Sequence, residues 1–187
     1  EPLASMAQFD DAAENVVVVD SISKRFSACG ARVGILLSRN QELMAQALKI
    51  CQGRLCAATL DQIGAAALYG VGSDYFAAVR EEYHKRRDTC MEGLAKIHGV
   101  VCECPKGAFY IMAKLPVDDT DKFQTWLLEE FQDNGETVMF APGEGFYGTP
   151  GKGRDEIRLA YILKQEDLRR AMEVLAHGIE AYNARKQ

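Results

Sequence analysis

The residues best suited to chemistry lie between Ser21 and Gly34, directly after a run of four valines. This segment carries hydroxyl groups on Ser21 and Ser23, the amine of Lys24 and the guanidinium of Arg32. In open α/β sheets, ligands bind where the chain leaves the carboxyl end of a strand. Hydroxyl groups and a guanidinium fork suit a phosphate, and a lysine amine beside a phosphate site can attack a carbonyl. The segment therefore predicts a site for a phosphorylated aldehyde cofactor.

The order of these residues resembles a known motif. It reads Ser-x-Ser-Lys-x-aromatic-x-x-x-Gly-x-Arg-x-Gly, which is similar to the pyridoxal-phosphate attachment site of the class I/II aminotransferases, the aspartate aminotransferase group of fold type I. The matching positions are Ser21, Ser23, Lys24, Phe26, Gly30, Arg32 and Gly34. The resemblance implies pyridoxal 5'-phosphate as the cofactor, with Lys24 as the catalytic residue that carries it and then transfers the substrate proton. It also implies that Ser21, Ser23 and Arg32 bind the cofactor phosphate.

Two later segments extend the resemblance. Residues 105–110, Pro-Lys-Gly-Ala-Phe-Tyr, are similar to the Pro-x-Gly-Ala-Phe-Tyr strand with which the family's small domain begins. Residues 157–161, Ile-Arg-Leu-Ala-Tyr, are similar to the strand whose arginine binds the substrate α-carboxylate. Arg158 occupies that position, and a guanidinium fork can bind a carboxylate bidentately. The resemblance therefore implies that Arg158 binds the substrate.

Hydrophobic periodicity predicts the elements that position these side chains. The valine run at 16–19 has no alternation, which is typical of a strand covered on both faces in a parallel α/β sheet. Asn40 is a favourable N-cap for the helix that follows it. Further strands are predicted at 33–37, 100–104, 108–114, 138–140 and 157–161, and helices at 41–51, 57–69, 75–97, 121–133 and 165–185. Strands that alternate with helices predict an α/β fold.

The resemblance also assigns domains. Residues 1–72 correspond to the end of the large, mostly parallel-sheet domain that binds pyridoxal phosphate, residues 73–98 to a long linking helix, and residues 99–187 to a small α+β domain. The family's aspartate against the pyridinium nitrogen, its ring-stacking aromatic residue and its Gly-rich phosphate loop have no counterpart in this sequence. We therefore expect the C-terminal part of a fold type I transferase, a fragment that is inactive by itself.

Composition excludes several classes of protein. The 187 residues are 48% apolar and 26% charged, with a net charge of −5, which is typical of a folded domain and atypical of a nucleic-acid-binding surface. No apolar run is long enough to span a membrane and no basic leader precedes one, so we expect a cytoplasmic protein with neither nucleic-acid nor membrane partners. The six cysteines are expected to be reduced thiols, and the three scattered histidines predict no metal site.

The function implied by the resemblance is the transfer of an amino group between an amino acid, aspartate or a similar one, and a 2-oxo acid. A second copy of the chain is the expected protein partner, in a homodimer. Two alternatives remain at this stage. A pyridoxal-phosphate-dependent lyase of the same fold would share the lysine and the phosphate site, and a non-catalytic half-chain would have a structural or dimerisation role.

Overall fold

A computed structural model describes residues 4–185 of the chain and divides it into two compact units, of which the first ends at Ser73 and the second begins at Asp74. The strands are β1 Val17–Ser21, β2 Gly34–Ser38, β3 Val101–Cys102, β4 Tyr110–Lys114, β5 Ala141–Pro142 and β6 Glu156–Ala160. The helices are α1 Ile22–Arg25, α2 Gln41–Arg54, α3 Thr59–Leu68, α4 Ser73–Leu94, α5 Thr120–Glu129 and α6 Gln165–Ala184. Short 3-10 turns lie at Met6–Gln8, Asp10–Asn15, Cys29–Ala31 and Glu144–Phe146. Within residues 4–185, none of the helices has the length and apolar character needed to cross a membrane.

In the first unit, the valine run forms a strand as predicted, but its neighbour is antiparallel. β1 pairs with β2, and Ser21 lies opposite Gly34 at the end of the pair. The connection contains only a helical turn and a 3-10 turn, whereas a parallel neighbour needs a longer crossover, usually a helix that covers one face. Val17 and Val19 are 41% and 77% exposed. The prediction of a strand covered on both faces is therefore wrong for the described residues.

The helices of the first unit follow the predicted pattern closely. α2 begins directly after Asn40, whose side-chain oxygen accepts a hydrogen bond from the backbone N–H of Leu43 at 2.9 Å. This contact satisfies one of the backbone donors that a helix leaves unpaired at its N-terminus. The buried apolar side chains of this unit, among its described residues, are Ile22, Phe26 and Ala65. Two of the three lie in the segment that contains Lys24.

The second unit is built on a four-stranded antiparallel sheet in the order β3-β4-β6-β5. In its central pair, Met112 of β4 lies opposite Arg158 of β6. Every second side chain of these two strands is buried, namely Ile111, Ala113, Ile157 and Leu159. Because side chains alternate between the faces of a strand, Arg158 lies on the face opposite the core.

The core of the second unit joins this buried sheet face to the helices. Buried side chains of α6 recur every three or four residues, as expected for a helix with one apolar face, and they include Leu168, Met172, Leu175, Ile179 and Tyr182. Phe123 of α5 is fully buried, and its ring centroid lies 5.0 Å from that of Tyr182 and 5.8 Å from that of Phe140. These contacts hold α5 and α6 on the core side of the sheet.

The strand predicted at 138–140 is not formed. The side chain of Gln124, which is buried, donates to the carbonyl oxygen of Val138 over 3.5 Å and accepts from the N–H of Phe140 over 2.7 Å. The amide group thus satisfies the backbone in place of a neighbouring strand. Sheet pairing begins only with Ala141, which lies opposite Arg158.

Acid is expected to weaken the second unit through Asp133, whose side chain is only 16% exposed. Its Oδ2 lies 2.6 Å from His177 Nδ1 and 3.2 Å from Arg170 Nη1. The hydrogen bond with His177, supported by Arg170, lowers the pKa of the Asp133 carboxyl and outweighs the opposite effect of its partial burial. A lowered pKa in the folded state stabilises the fold above the unfolded-state pKa, and this stabilisation is lost as the pH falls.

We therefore expect D133N to have a lower free energy of unfolding than the unsubstituted chain at neutral pH. The difference between the two chains should shrink below about pH 4, where the carboxylate of the unsubstituted chain is being protonated. Urea unfolding of both chains between neutral and acidic pH measures this difference in unfolding free energy. The control is D11N, because Asp11 is exposed. A difference independent of pH would contradict the assignment of this effect to the carboxylate charge.

Candidate cofactor and carboxylate sites

Lys24 lies in the single helical turn that directly follows β1. Ser21 ends the strand and caps this turn, because its Oγ accepts a hydrogen bond from the backbone N–H of Ser23 at 3.0 Å. Serine is a favourable N-cap because its short side chain can reach the free N–H groups of the first turn. Three of the predicted site residues, Ser21, Ser23 and Lys24, are therefore positioned by the end of one strand.

Cys29 connects this turn to Arg32. Its thiol accepts a hydrogen bond from Lys24 Nζ over 3.6 Å and donates one to the carbonyl oxygen of Ser23 over 3.3 Å. Its own carbonyl oxygen accepts a hydrogen bond from Arg32 Nη1 over 3.0 Å. The four predicted cofactor-site residues thus belong to one hydrogen-bonded segment, residues 21–32, which we call the lysine loop. Sequence reasoning missed Cys29, because it occupies an unspecified position of the motif.

Two buried side chains anchor the lysine loop on either side of the lysine. Ile22 is 1% exposed and Phe26 is 7% exposed. The ring of Phe26 packs edge-on against that of Tyr69, with their centroids 5.4 Å apart. The aromatic position of the motif therefore has a packing role, and the loop that carries Lys24 is the best-buried part of the first unit.

The lysine loop also contains two residues with left-handed backbone conformations. The φ angles of Ser27 and Arg32 are 53° and 54°. For residues with a Cβ this conformation costs roughly 1–2 kcal/mol, and such costs are common at ligand sites. At Arg32 it coincides with the hydrogen bond from the guanidinium to the carbonyl of Cys29, so the side chain is turned back toward the lysine turn.

The charge of the lysine loop is positive. Residues 21–32 contain no acidic side chain, and the preceding Asp20 pairs with Arg25 at 2.7 Å. The side chains of Lys24 and Arg32 are both exposed. Besides the paired Arg25, the loop therefore offers two exposed cationic groups, on Lys24 and Arg32, together with the hydroxyl groups of its three serines.

This set of donors fits a phosphorylated aldehyde. Hydroxyl and guanidinium groups can donate hydrogen bonds to phosphate oxygens, and a primary amine can form a covalent bond with an aldehyde carbon. No carboxylate within the loop would repel the phosphate. A metal is a poorer fit, since no group of three or more His, Cys, Asp or Glu side chains within residues 4–185 is arranged to hold one.

In the second unit, Arg158 is held between two aromatic rings. The carbon at the centre of its guanidinium lies 4.4 Å from the ring centroid of Tyr110 and 4.4 Å from that of Phe146. Such stacking fixes the plane of the guanidinium and leaves its N–H edge available. Within the described part of the chain, this guanidinium is not paired with a carboxylate. The arrangement can therefore bind a carboxylate from a ligand bidentately.

The two rings around Arg158 come from different places in the fold. Tyr110 begins β4 and lies two residues along the strand from Met112, the residue opposite Arg158. Phe146 ends the 3-10 turn that follows β5. This stacking was not predicted from the sequence. The spacing of the two residues in the sequence gives no indication of it, because the contact depends on sheet register.

The motif segments at 105–110 and 157–161 are joined at this point of the sheet. The hydroxyl of Tyr161 donates a hydrogen bond to the carbonyl oxygen of Ala108 at 3.0 Å. The backbone N–H of Tyr161 donates a second one to the carbonyl oxygen of Phe109 at 3.1 Å. Ala108 has a φ of 60°, in the left-handed region. These bonds fix the start of β4 beside the end of β6.

Arg158 also lines an open cavity of about 560 Å³ in the second unit. Its other lining side chains are largely apolar and include Tyr110, Met139, Phe140, Ile162 and Leu163. The volume lies within the range of small-molecule sites. The lining also includes Leu159, Leu168 and Met172, which belong to the core, so the cavity is not confined to the face of the sheet that carries the Arg158 side chain.

Comparison with known proteins gives a family. Residues 2–175 match the family described as aminotransferase class I and II. The aspartate aminotransferase of Bacillus subtilis is 29% identical over 96% of this chain and 45% of its own length. The aspartate aminotransferase of Musicola paradisiaca is 31% identical over 100% of this chain and 45% of its own length. The chain therefore spans a little under half the length of these curated relatives.

Solved structures of aminotransferases share the fold of this chain. The aromatic aminotransferase from Pyrococcus horikoshii superposes with a TM-score of 0.80 at 26% identity, over 98% of this chain and 48% of that one. An α-aminoadipate aminotransferase from Thermus thermophilus, solved with N-(5'-phosphopyridoxyl)-L-leucine, shares the fold with a TM-score of 0.80 at 23% identity, over 96% of this chain and 45% of that one. The predicted α/β fold of a fold type I transferase is confirmed. The chain belongs to the class I and II aminotransferase family.

Proposed function

We propose that this chain carries the cofactor-binding lysine and the carboxylate-binding arginine of a pyridoxal-phosphate-dependent aminotransferase. The observation that supports it most is the lysine loop, in which Cys29 joins the Lys24 amine and the Arg32 guanidinium by hydrogen bonds. An amine beside phosphate-binding groups is the combination that a phosphorylated aldehyde requires.

Each site residue then has a distinct task. Ser21, Ser23 and Arg32 would donate hydrogen bonds to the phosphate of pyridoxal phosphate, and Lys24 would hold the cofactor through its amine and accept the proton from the substrate α-carbon. Arg158 binds the substrate α-carboxylate and so fixes its orientation, which is a positioning effect on the reaction. The bound cofactor supplies an electron-withdrawing ring that stabilises negative charge at the α-carbon.

Aspartate, with a 2-oxo acid as the acceptor, is the substrate that we propose first. The names of the relatives from Bacillus subtilis and Musicola paradisiaca support it. The apolar cavity beside Arg158 supports a second candidate, an amino acid with an apolar side chain. Amide chemical-shift titrations around Arg158 with 2-oxoglutarate and with phenylpyruvate distinguish the two, since the tighter ligand identifies the substrate class.

The test of the proposed function is reductive labelling with pyridoxal phosphate and borohydride, followed by peptide mapping. We expect the label at Lys24, with little at the exposed Lys49 of the same unit. Pyridoxal without its phosphate should label Lys24 less, because Ser21, Ser23 and Arg32 would have no phosphate to bind. Labelling spread equally over the lysines, or equal labelling by the two aldehydes, would contradict the proposed site and favour a non-catalytic role.

The substitution R158K is expected to weaken carboxylate binding by about tenfold. Lysine keeps the positive charge but loses the bidentate fork and most of the stacking between Tyr110 and Phe146. The affinity for 2-oxoglutarate, measured by the same chemical-shift titration, tests this. R154K is the matched control, because Arg154 is exposed and faces Asp119 and Glu144 instead. Equal affinities of R158K and the unsubstituted chain would exclude Arg158 as the carboxylate ligand.

A second copy of the chain is the protein partner that we propose. Large apolar side chains of the first unit are widely exposed, for example Val19 at 77%, Leu55 at 79% and Leu60 at 83%. Exposed apolar surface of this kind favours association. Sedimentation velocity tests it, and a monomer at micromolar concentration would contradict the proposed homodimer.

A further inference from the structure

The thiol of Cys29 is the side chain of the lysine loop to which the family motif gives no role. It accepts the hydrogen bond from Lys24 Nζ over 3.6 Å and donates to the carbonyl oxygen of Ser23 over 3.3 Å. Its backbone carbonyl accepts from Arg32. Cys29 therefore contacts both the amine and the guanidinium, and it is the residue through which the two halves of the loop are connected.

The other cysteines of the chain have different surroundings. Cys90 is buried, and burial raises the pKa of its thiol to about 11. Cys51 and Cys56 are exposed in the first unit, like Cys29, and among residues 4–185 neither is hydrogen-bonded to a lysine. These two residues are therefore matched controls for the exposure and chemistry of a thiol without the lysine contact.

We propose that Cys29 is a positioning residue for Lys24: its thiol, which is bonded to the backbone carbonyl of Ser23, holds the lysine amine against the turn. A lysine side chain has four rotatable bonds, and the amine of an exposed lysine samples many positions. A hydrogen bond to a thiol that is itself bonded to the turn restricts the amine to one side of the loop. When the same loop binds the phosphate of the aldehyde, a restricted amine meets the aldehyde carbon more often than a freely rotating amine does.

The contact can be tested without the cofactor. Formaldehyde joins an amine and a thiol that lie in contact, because its carbon forms one bond to nitrogen and one to sulfur, and its oxygen leaves as water with one hydrogen from each group. We expect a methylene bridge between Lys24 and Cys29, seen in peptide mapping as a mass gain of one carbon atom, and none between Lys49 and Cys51. Absence of the Lys24–Cys29 bridge would overturn the proposed contact.

The positioning role rests on the proposed function and is tested by the rate of reductive pyridoxal-phosphate labelling at Lys24. C29A should lower this rate by about two- to tenfold, the effect expected for one hydrogen bond. C29S should restore most of it, because a hydroxyl can also accept from the amine, and C51A should leave it unchanged. Equal rates in C29A and the unsubstituted chain would overturn the role. If the methylene bridge forms but no variant is labelled at Lys24, the contact stands and the proposed cofactor site fails.

Discussion

The substitution K24M is expected to abolish covalent attachment of pyridoxal phosphate to the chain. Methionine has a similar length and no nucleophilic atom that can hold an aldehyde, so attachment should fall by about a hundredfold or more, to the level of non-specific labelling. The lysine loop should keep its fold, because its anchors are Ile22 and Phe26 and the Lys24 side chain is exposed. Borohydride reduction and intact-mass measurement give the amount attached.

The control for this prediction is K49M. Lys49 is exposed in the same unit, and its amine donates to Gln46 at 3.1 Å. Its replacement should leave the attached amount unchanged. A K24M chain that still takes up one equivalent of cofactor would show that another amine is the attachment site, and the assignment of Lys24 would then be wrong.

The lysine loop was the part of the site most open to prediction from sequence. Chemistry fixes which residue types can bind a phosphate and an aldehyde, and the strand before the loop fixes where they start. For this reason Ser21, Ser23, Lys24 and Arg32 could be proposed from their types and order together with the family resemblance. They lie in one hydrogen-bonded segment, and their binding of a cofactor stays a prediction. Cys29 could not be named, because its contact with Lys24 depends on how the chain turns between the two residues.

Long-range contacts explain the remaining differences between the sequence predictions and the structure. The strand predicted at 138–140 is absent because Gln124, fourteen or more residues earlier in the chain, satisfies its backbone groups. The rings of Tyr110 and Phe146 meet Arg158 through sheet register and a turn. Local patterns predict helices and strands, but they do not contain the information that pairs a side chain with a distant segment.

The sequence predicted the burial of side chains better in the second unit than in the first. The alternation of buried and exposed residues in β4 and β6 follows directly from packing against α5 and α6 within the same unit. The valine run of β1 predicts cover on both faces, but the described residues leave Val19 77% exposed. A continuous apolar strand indicates the environment for which its side chains are suited, and the described chain provides only part of that environment.

The geometry around Arg158 depends on Gly143, and G143A is expected to be strongly destabilising. Gly143 follows β5, and a Cβ at this position would lie 2.6 Å from the carbonyl oxygen of Glu156 and 2.7 Å from that of Gly153. Both atoms are backbone, so the strands must move apart, and the N–H of Gly143 would lose its 2.7 Å hydrogen bond to Glu156. Overpacking of this kind costs about 1–3 kcal/mol of unfolding free energy. For a chain of this size, each kcal/mol lowers Tm by about 2–4 °C.

A matched control lies two residues further along the same turn. A Cβ at Gly145 would meet no atom within 4 Å, so G145A should unfold close to the temperature of the unsubstituted chain. The carbonyl oxygen of Gly143 accepts from the N–H of Phe146 at 3.0 Å, and Phe146 stacks on Arg158. G143A should therefore also weaken 2-oxoglutarate binding, whereas G145A should not. If both variants unfold at the same temperature, the close approach of β5 to β6 cannot be what holds Phe146 against Arg158.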